Sequence, residues 1–257
     1  MSTKLKIMSF NMRMDQARDG DNHFSCRKGR IVEFLNEQKA DVIGFQEITP
    51  TMREWLVETF PDYYMVGVGR AADYSDETSL IAFRKDVMAL VSCDTVMLSS
   101  TPRVFGSRYD GSDQSGCPRE YVKALLKHRD IAEPFYIYNV HTDHLGAISR
   151  QLASTQLMQD ITSHDKKFFL TGDFNAVPDT PEIAMITKCS TRAIKDASAT
   201  LSGTFHNFGR EQNPWKIDYI FTDADTTVLE SVRVEDHPAP GTPYISDHNP
   251  IYIVAEM

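Results

Sequence analysis

The chain is short of positive charge. Its 257 residues carry 27 Lys and Arg against 36 Asp and Glu, a formal net charge of −9. Nonspecific affinity for nucleic acid is largely electrostatic, so this balance weighs against a general DNA binder, although metal ligands add negative charge of their own. Cysteine is scarce too. Cys26, Cys93, Cys117 and Cys189 show neither the close pairs of a zinc site nor the density of a disulfide framework. A reducing, cytoplasmic compartment is the expectation. No apolar run approaches the roughly 18 residues that span a bilayer. The opening MSTKLKIMSF lacks the apolar stretch and small-residue cleavage site of a secretion signal and reads as a first strand. Internal repeats, low-complexity tracts and linker-like shifts in composition are missing as well. What remains, 41% hydrophobic and 25% charged, is an ordinary globular composition.

Short apolar runs dominate what is present. Leu5–Phe10, Val42–Phe45, Tyr63–Val68, Ser79–Arg84, Met88–Met97, Tyr121–Leu126 and Phe135–Val140 read as strands, followed by Phe168–Leu170, Ile217–Phe221, Val228–Val234 and Ile251–Val254. Helical spacing is rarer. Ile31, Phe34 and Leu35 predict a helix over Cys26–Gln38 with Ser25 as its N-cap. Thr51 and Glu54 have capping-box spacing ahead of Trp55 and Leu56. Ile148, Leu152, Thr155, Gln156 and Gln159 continue a third helix, and Pro181 opens a fourth near Pro181–Thr187. Many strands with so few helices argue for stacked sheets with helices outside. Ser99–Pro118 is a long polar loop, either a substrate lip carrying Arg103, Phe105, Arg108 and Tyr109 or a mobile surface segment.

Chemistry concentrates where the runs end. Phe168–Asp179, FFLTGDFNAVPD, stops a buried strand at Gly172 and presents Asp173, Asn175 and Asp179 among Gly and Pro. Alone this reads equally well as an Asp/Asn-rich turn. Yet Asn11 in SFNMR, Glu47 in GFQE, His141 in NVHTDH, Asp218 in WKIDYIF, and Asp247 with His248 in SDHNPI also sit at or beside strand-like runs.

Together these strings resemble the endonuclease/exonuclease/phosphatase superfamily, which includes deoxyribonuclease I, abasic-site endonucleases, neutral sphingomyelinases and inositol-polyphosphate 5-phosphatases. The resemblance covers nearly the whole chain. It implies one domain, 1–257, with the deoxyribonuclease I-like four-layer α/β/β/α sandwich: two packed, mostly antiparallel sheets between helices. It implies a metal held by Glu47 with Asn11 and Asp247 nearby. Asp173 aligns and deprotonates the attacking water, Asn175 steadies the transition state, and Asp218 orients His248. His141 matches a phosphate-side histidine whose acidic partner would be Glu77, in ETSLIAFRK. Arg119, opening REYVKALL, matches an arginine that contacts phosphate, and Asn11 lies beside the same group. One departure stands out: Arg13 occupies a place where some abasic-site endonucleases carry an acid. Asp143, His144, Arg150, Phe208 and Trp215 are further candidates for the pocket wall.

The implied reaction is hydrolysis of a phosphoester by in-line attack of water. Magnesium suits it, with manganese as the alternative, because it takes oxygen ligands and needs only one or two carboxylates. The charge balance favours a small phosphorylated substrate. A sequence-nonspecific nuclease on DNA or RNA is the alternative, and a non-catalytic scaffold of the same fold would be expected to have lost part of this set.

Overall fold

Two strand–helix–strand units explain the architecture. In the computed structural model, which describes residues 2–257, β1 (Lys4–Asn11) leads through a 3-10 turn and α1 (Phe24–Gln38) into β2 (Val42–Gln46). The strands β1 and β2 are parallel. After α2 (Pro50–Thr59), β3 (Tyr63–Val66), β4 (Ile81–Arg84), β5 (Met88–Met97) and β6 (Glu120–His128), the pattern recurs. The second unit is β7 (Phe135–His141), α3 (Ala147–Ile161) and β8 (Phe168–Asp173), again a parallel pair. The chain then runs through α4 (Pro181–Thr187), β9 (Ile194–Asp196), β10 (Asp218–Asp223), β11 (Thr227–Arg233) and β12 (Ile251–Glu256).

Each parallel pair lies at the middle of a six-stranded sheet, in the orders β11-β12-β1-β2-β4-β3 and β5-β6-β7-β8-β10-β9, and the remaining pairings are antiparallel. The expected mostly antiparallel pair of sheets with outer helices is therefore present. Because side chains alternate across a strand, each central strand serves two layers. On β1, Met8 and Phe10 pack with Ile31, Phe34 and Leu35 of α1, while Leu5 and Ile7 face the other sheet. On β8, Phe168 and Leu170 pack with Leu157 and Ile161 of α3, while Phe169 joins the core between the sheets.

The inter-sheet face changes character along its length. Leu5 and Ile7 give way to Ser9 and Asn11; Val42 to Gly44 and Gln46; Ile137 to Asn139 and His141; Phe169 to Thr171 and Asp173. A buried polar seam occupies the crossover. Gln46 Nε2 donates to Ser9 Oγ (3.2 Å) and Asn139 Oδ1 (2.6 Å), Thr171 Oγ1 donates to Asn139 Oδ1 (3.0 Å), and Asn139 Nδ2 donates to the carbonyls of Phe45 (2.7 Å) and Leu80 (3.0 Å). Gly44 is needed here because a Cβ would lie 2.1 Å from Thr171 Oγ1 and 2.6 Å from Asn139 Oδ1.

Several boundaries differ from the sequence reading for identifiable reasons. The first helix starts at Phe24, capped by His23, whose ring accepts the Ser25 N–H at 3.3 Å, so Ser25 is not the cap. Thr49 rather than Thr51 caps α2, accepting the Met52 N–H at 3.4 Å with Pro50 in the first turn. The three-residue β9 is too short to show a period in sequence. Within the 99–118 segment, which reaches the polar end of the sheets only near Cys117, Arg103 pairs with Asp94, Phe105 packs edge-on against Tyr74, Arg108 donates to the Ser115 carbonyl, and Tyr109 donates to Gln156. These four residues do not form a substrate lip.

The seam predicts that Asn139→Ala, which removes the hydrogen bonds of Asn139 with Gln46, Thr171 and the Phe45 and Leu80 carbonyls, destabilises the fold by roughly 2–4 kcal/mol. Urea unfolding monitored by circular dichroism checks this, and a loss below about 0.5 kcal/mol would mean that the seam does not hold the sheets together.

Candidate functional site

Strand register assembles the site before any side chain is considered. His141 is the Cα partner of Asp173 across β7 and β8, and Asp218 is the partner of Asp173 across β8 and β10. Asn11 pairs with Gln46, so Glu47 emerges one residue beyond. Ser9 pairs with Ile251, which carries the preceding Asp247–His248 segment past the end of β1. Ser246 Oγ fixes that segment by donating to the Asn11 carbonyl at 2.6 Å. The parallel strands thus converge at their C-terminal ends, where their last inward-facing residues are polar. A cavity of about 560 Å³ opens there, lined among others by Glu47, His141, Asp173, Asn175, Asp247 and His248. A larger cavity, about 920 Å³, lies at the opposite end of β7 and β8 beside Ile131, Lys166 and Lys167, away from these groups.

Asp173 is the hub. Its Oδ1 accepts the Asn175 N–H at 2.9 Å, and its Oδ2 accepts Asn11 Nδ2 at 3.0 Å. The same Oδ2 lies 3.6 Å from His141 Nε2 and 3.7 Å from His248 Nε2. Burial and the Asp218 charge push the Asp173 carboxyl up to about 7, against His248 and the Asn175 and Asn11 hydrogen bonds. Phe174, buried against Tyr219 and Phe221, anchors the GDFN turn, and Asn175 takes a left-handed backbone (φ 47°) that directs its amide to the Thr142 carbonyl at 3.1 Å. Asn tolerates that conformation better than most residues.

The two histidines have opposite electrostatics. His248 Nδ1 is 2.9 Å from Asp218 Oδ2, and its ring packs on Phe205 with centroids 4.9 Å apart. Burial alone would lower its pKa, but Asp218, Asp173 and Asp247 outweigh burial and raise the imidazole to about 10. His248 is therefore an imidazolium at neutral pH. His141 is held well below the ordinary histidine range by burial, reinforced by Arg119, Arg70 and His248. It is neutral, and its Nδ1 is buried without a partner among the described residues. Glu77 does not supply that partner. Its carboxylate pairs with Arg70 Nη2 at 3.0 Å, and burial with the Glu47 charge pushes it up to about 7. The expected Glu77–His141 pair is thus replaced by a Glu77–Arg70 pair on the same cavity wall.

Oxygen donors for a cation gather on the other side of Asp173. Glu47, at φ 62°, turns its carboxylate in from the end of β2, where Oε1 accepts Asn11 Nδ2 (3.1 Å) and Oε2 accepts the Met14 N–H (2.9 Å). Burial opposes its ionisation, but Arg13, Met14, His248 and Asn11 hold Glu47 below the usual carboxylate range. Asp247 is pushed up by burial and by Glu47, against His248 and Arg13. Arg13 forks onto Asp19 with two 2.9 Å bonds and reaches 3.9 Å from Glu47 Oε2 and 3.7 Å from Asp247 Oδ2. Two neighbouring carboxylates, one of which raises the other's proton affinity, suit a hard divalent cation. The Asn11 amide oxygen accepts the Arg13 N–H (2.9 Å), and its nitrogen brackets Glu47 to Asp173. Asp173, Asp218 and His248 also have possible ligand atoms within 4.8 Å of one another. The His248–Asp218 hydrogen bond already occupies that group.

Of the remaining candidates, Arg119, His144 and Trp215 line the cavity. Asp143 is a buried turn organiser, Arg150 pairs with Glu182, and Phe208 packs on Tyr244. Sequence reasoning missed Arg70, a buried guanidinium bonded to Asp76 and Glu77, because no spacing announces an arginine that reaches the site from a loop. It also missed Phe205, whose place under His248 depends on an antiparallel bridge between the two backbones.

The His248–Asp218 pair predicts a pH dependence. A histidine raised from 6.5 to about 10 on folding stabilises the folded state below pH 6.5, and that contribution is lost as pH rises to about 10. In chelator-treated protein, urea stability is expected to fall from pH 7.5 to 10, and Asp218→Asn to flatten that slope. An NMR titration of the His248 ring with a midpoint near 6.5 would refute the assignment.

The sequence profile of the Endonuclease/Exonuclease/phosphatase family matches residues 8–248. No curated protein matches the chain in sequence. Among solved structures, an endonuclease/exonuclease/phosphatase from Bacteroides vulgatus is 27% identical, with a TM-score of 0.91 over 99% of both chains. A family member from Bacteroides thetaiotaomicron is 24% identical, with a TM-score of 0.90 over 100% of this chain and 99% of that one. A mannosyl-6-phosphatase from the same organism is 24% identical, with a TM-score of 0.87 over 98% of this chain and 99% of that one. The sheets superpose as the deoxyribonuclease I-like sandwich, and the matched segment runs from within β1 to His248. The chain belongs to the Endonuclease/Exonuclease/phosphatase family, hydrolases of phosphoester bonds.

Proposed function

We propose that this protein is a magnesium-dependent phosphoesterase acting on a small phosphorylated compound. The observation that carries the reading is the position of Asp173 Oδ2, 3.6–3.7 Å from the Nε2 atoms of a neutral and a charged histidine. A carboxylate raised to about 7 is matched to general-base work near neutral pH. Asp173 takes a proton from water, while the Asn175 N–H and the Asn11 amide hold its two oxygens in place. His248, kept cationic by Asp218, donates to a phosphoryl oxygen as charge builds there. Neutral His141 offers a single N–H to the same group.

Glu47 and Asp247 would hold the metal, which when bound neutralises phosphoryl charge. Arg13 and the Asn11 bracket keep those carboxylates in place. A small substrate fits the net charge of −9 and a cavity of about 560 Å³. Trp215, 54% exposed at the rim beside Phe205, offers an aromatic face for the organic part. The structural neighbour that is a mannosyl-6-phosphatase supports the same substrate size.

Excess chelator is expected to abolish hydrolysis without changing the circular dichroism spectrum, and added Mg²⁺ to restore it. Full turnover in chelator would defeat the metal assignment. Asp173→Asn keeps the shape but removes the base, and turnover is expected to fall roughly 10²–10⁴-fold. Near-normal turnover would place water activation elsewhere. Across a salt series, hexose phosphates are expected to outperform plasmid DNA and RNA. Efficient nucleic-acid cleavage that collapses with rising salt, beside inert small compounds, would favour the nuclease alternative.

A further inference from the structure

Arg13 is a cation lodged among the carboxylates assigned to a metal. Its backbone is left-handed (φ 55°), a conformation that a long side chain rarely adopts, and the Asn11 amide oxygen secures it by accepting the Arg13 N–H at 2.9 Å. Backbone strain of this kind persists where the surroundings hold it and gathers at functional sites. The guanidinium lines the cavity, with Nε and Nη2 forked onto Asp19 by two 2.9 Å bonds. Its Nη1 lies 3.9 Å from Glu47 Oε2, and its Nε lies 3.7 Å from Asp247 Oδ2. Arg27 braces the same segment from within the core. Fully buried, Arg27 donates to the carbonyls of Met12 (2.6 Å), Arg13 (2.7 Å), Asn22 (2.8 Å) and Ile245 (2.7 Å). Arg13 is thus fixed in place, with three carboxylates around it.

A guanidinium keeps its charge at any pH at which the protein is folded. Asp19, Glu47 and Asp247 bring three negative charges, and Arg13 and Arg27 offset two of them. One divalent ion more than neutralises the remainder. A second ion would enter a partly buried site that is already positive, beside a cation that is clamped and cannot shed its proton. We infer that Arg13 is a resident cation standing in for a second metal ion, so that this centre takes one divalent ion per chain. The inference rests on the metal reading of Glu47 and Asp247. Loss of the Arg13 charge would release Asp19 from its fork and leave three acids together, an oxygen donor set of the kind that hard divalent ions take. A guanidinium that served only as a clamp would behave otherwise. Its removal would slacken Glu47 and Asp247, weaken the one ion they hold, and admit no second.

Titration with Mn²⁺, the free ion being read from its electron paramagnetic resonance signal, counts bound ions without substrate or turnover. Wild-type protein is expected to bind one Mn²⁺ per chain. Arg13→Met is expected to bind two, the first at least about 10-fold more tightly than in the wild type because a like charge has gone. Spin coupling between the two ions would place the second beside the first. Arg13→Lys, which keeps the charge and loses the fork, is expected to stay at one, and Asp19→Asn added to Arg13→Met to return the count to one. Two ions in the wild type would overturn the inference, whatever the variants do. A single, more weakly held ion in Arg13→Met, or two uncoupled ions, would overturn it as well. Absence of Mn²⁺ binding by the wild type is the separate failure, since it would defeat the underlying metal reading and the inference with it.

Discussion

The structure depends on one constraint: the strand face that packs the two sheets together is also the face that presents the chemistry. A period of two sends Leu5, Ile7, Ser9 and Asn11 of β1 in one direction, and Phe169, Thr171 and Asp173 of β8 toward them. The apolar half holds the layers together. The polar half cannot pack as hydrocarbon and must be satisfied by hydrogen bonds, which the Gln46–Asn139–Thr171 seam begins and the Asn11–Glu47–Asp173 bracket completes. Any slip of one residue in β1 or β8 would turn Asn11 or Asp173 toward the helices and apolar residues toward the cavity.

Charge balance sets the second level of order. Asp173, Asp218 and Asp247 are buried within one cavity or beside it with Glu47 half-buried among them, an arrangement that self-repulsion would oppose without cations. Arg13 and the His248 imidazolium provide compensation inside the protein, and a metal at Glu47 and Asp247 would add to it. The split between a charged His248 and a neutral His141 follows from position. One ring abuts Asp218, whereas the other is surrounded by Arg70, Arg119 and His248.

Much of this was legible in the chain because polar residues closing buried strands are conspicuous. GDFN, GFQE, SDHNP and WKID each end or border an apolar run, and the structure gathers all of them around one cavity. The signal failed where a contact spans loops. Glu77 was expected beside His141, but its carboxylate is taken by Arg70, seven residues earlier across a turn. The 99–118 loop looked free to cover the substrate because sequence shows polarity, not partners. Asp94, Tyr74 and Gln156 hold Arg103, Phe105 and Tyr109 elsewhere, while Cys117 lines the cavity.

Local residue order by itself determined the alternation of short buried strands, the punctuation that ends them, and the acids, amides and histidines placed at those ends. Those properties need only neighbours a few residues away. Tertiary structure alone decided that Asp173 stands between His141 and Asp218, that Arg13 approaches Glu47 and Asp247, and that Arg119 keeps two donor atoms without partners among the described residues. The reason is physical. A pKa, an ion pair or an unused donor is set by burial and by charges brought within a few ångströms from distant parts of the chain, and no local period encodes which of them will meet.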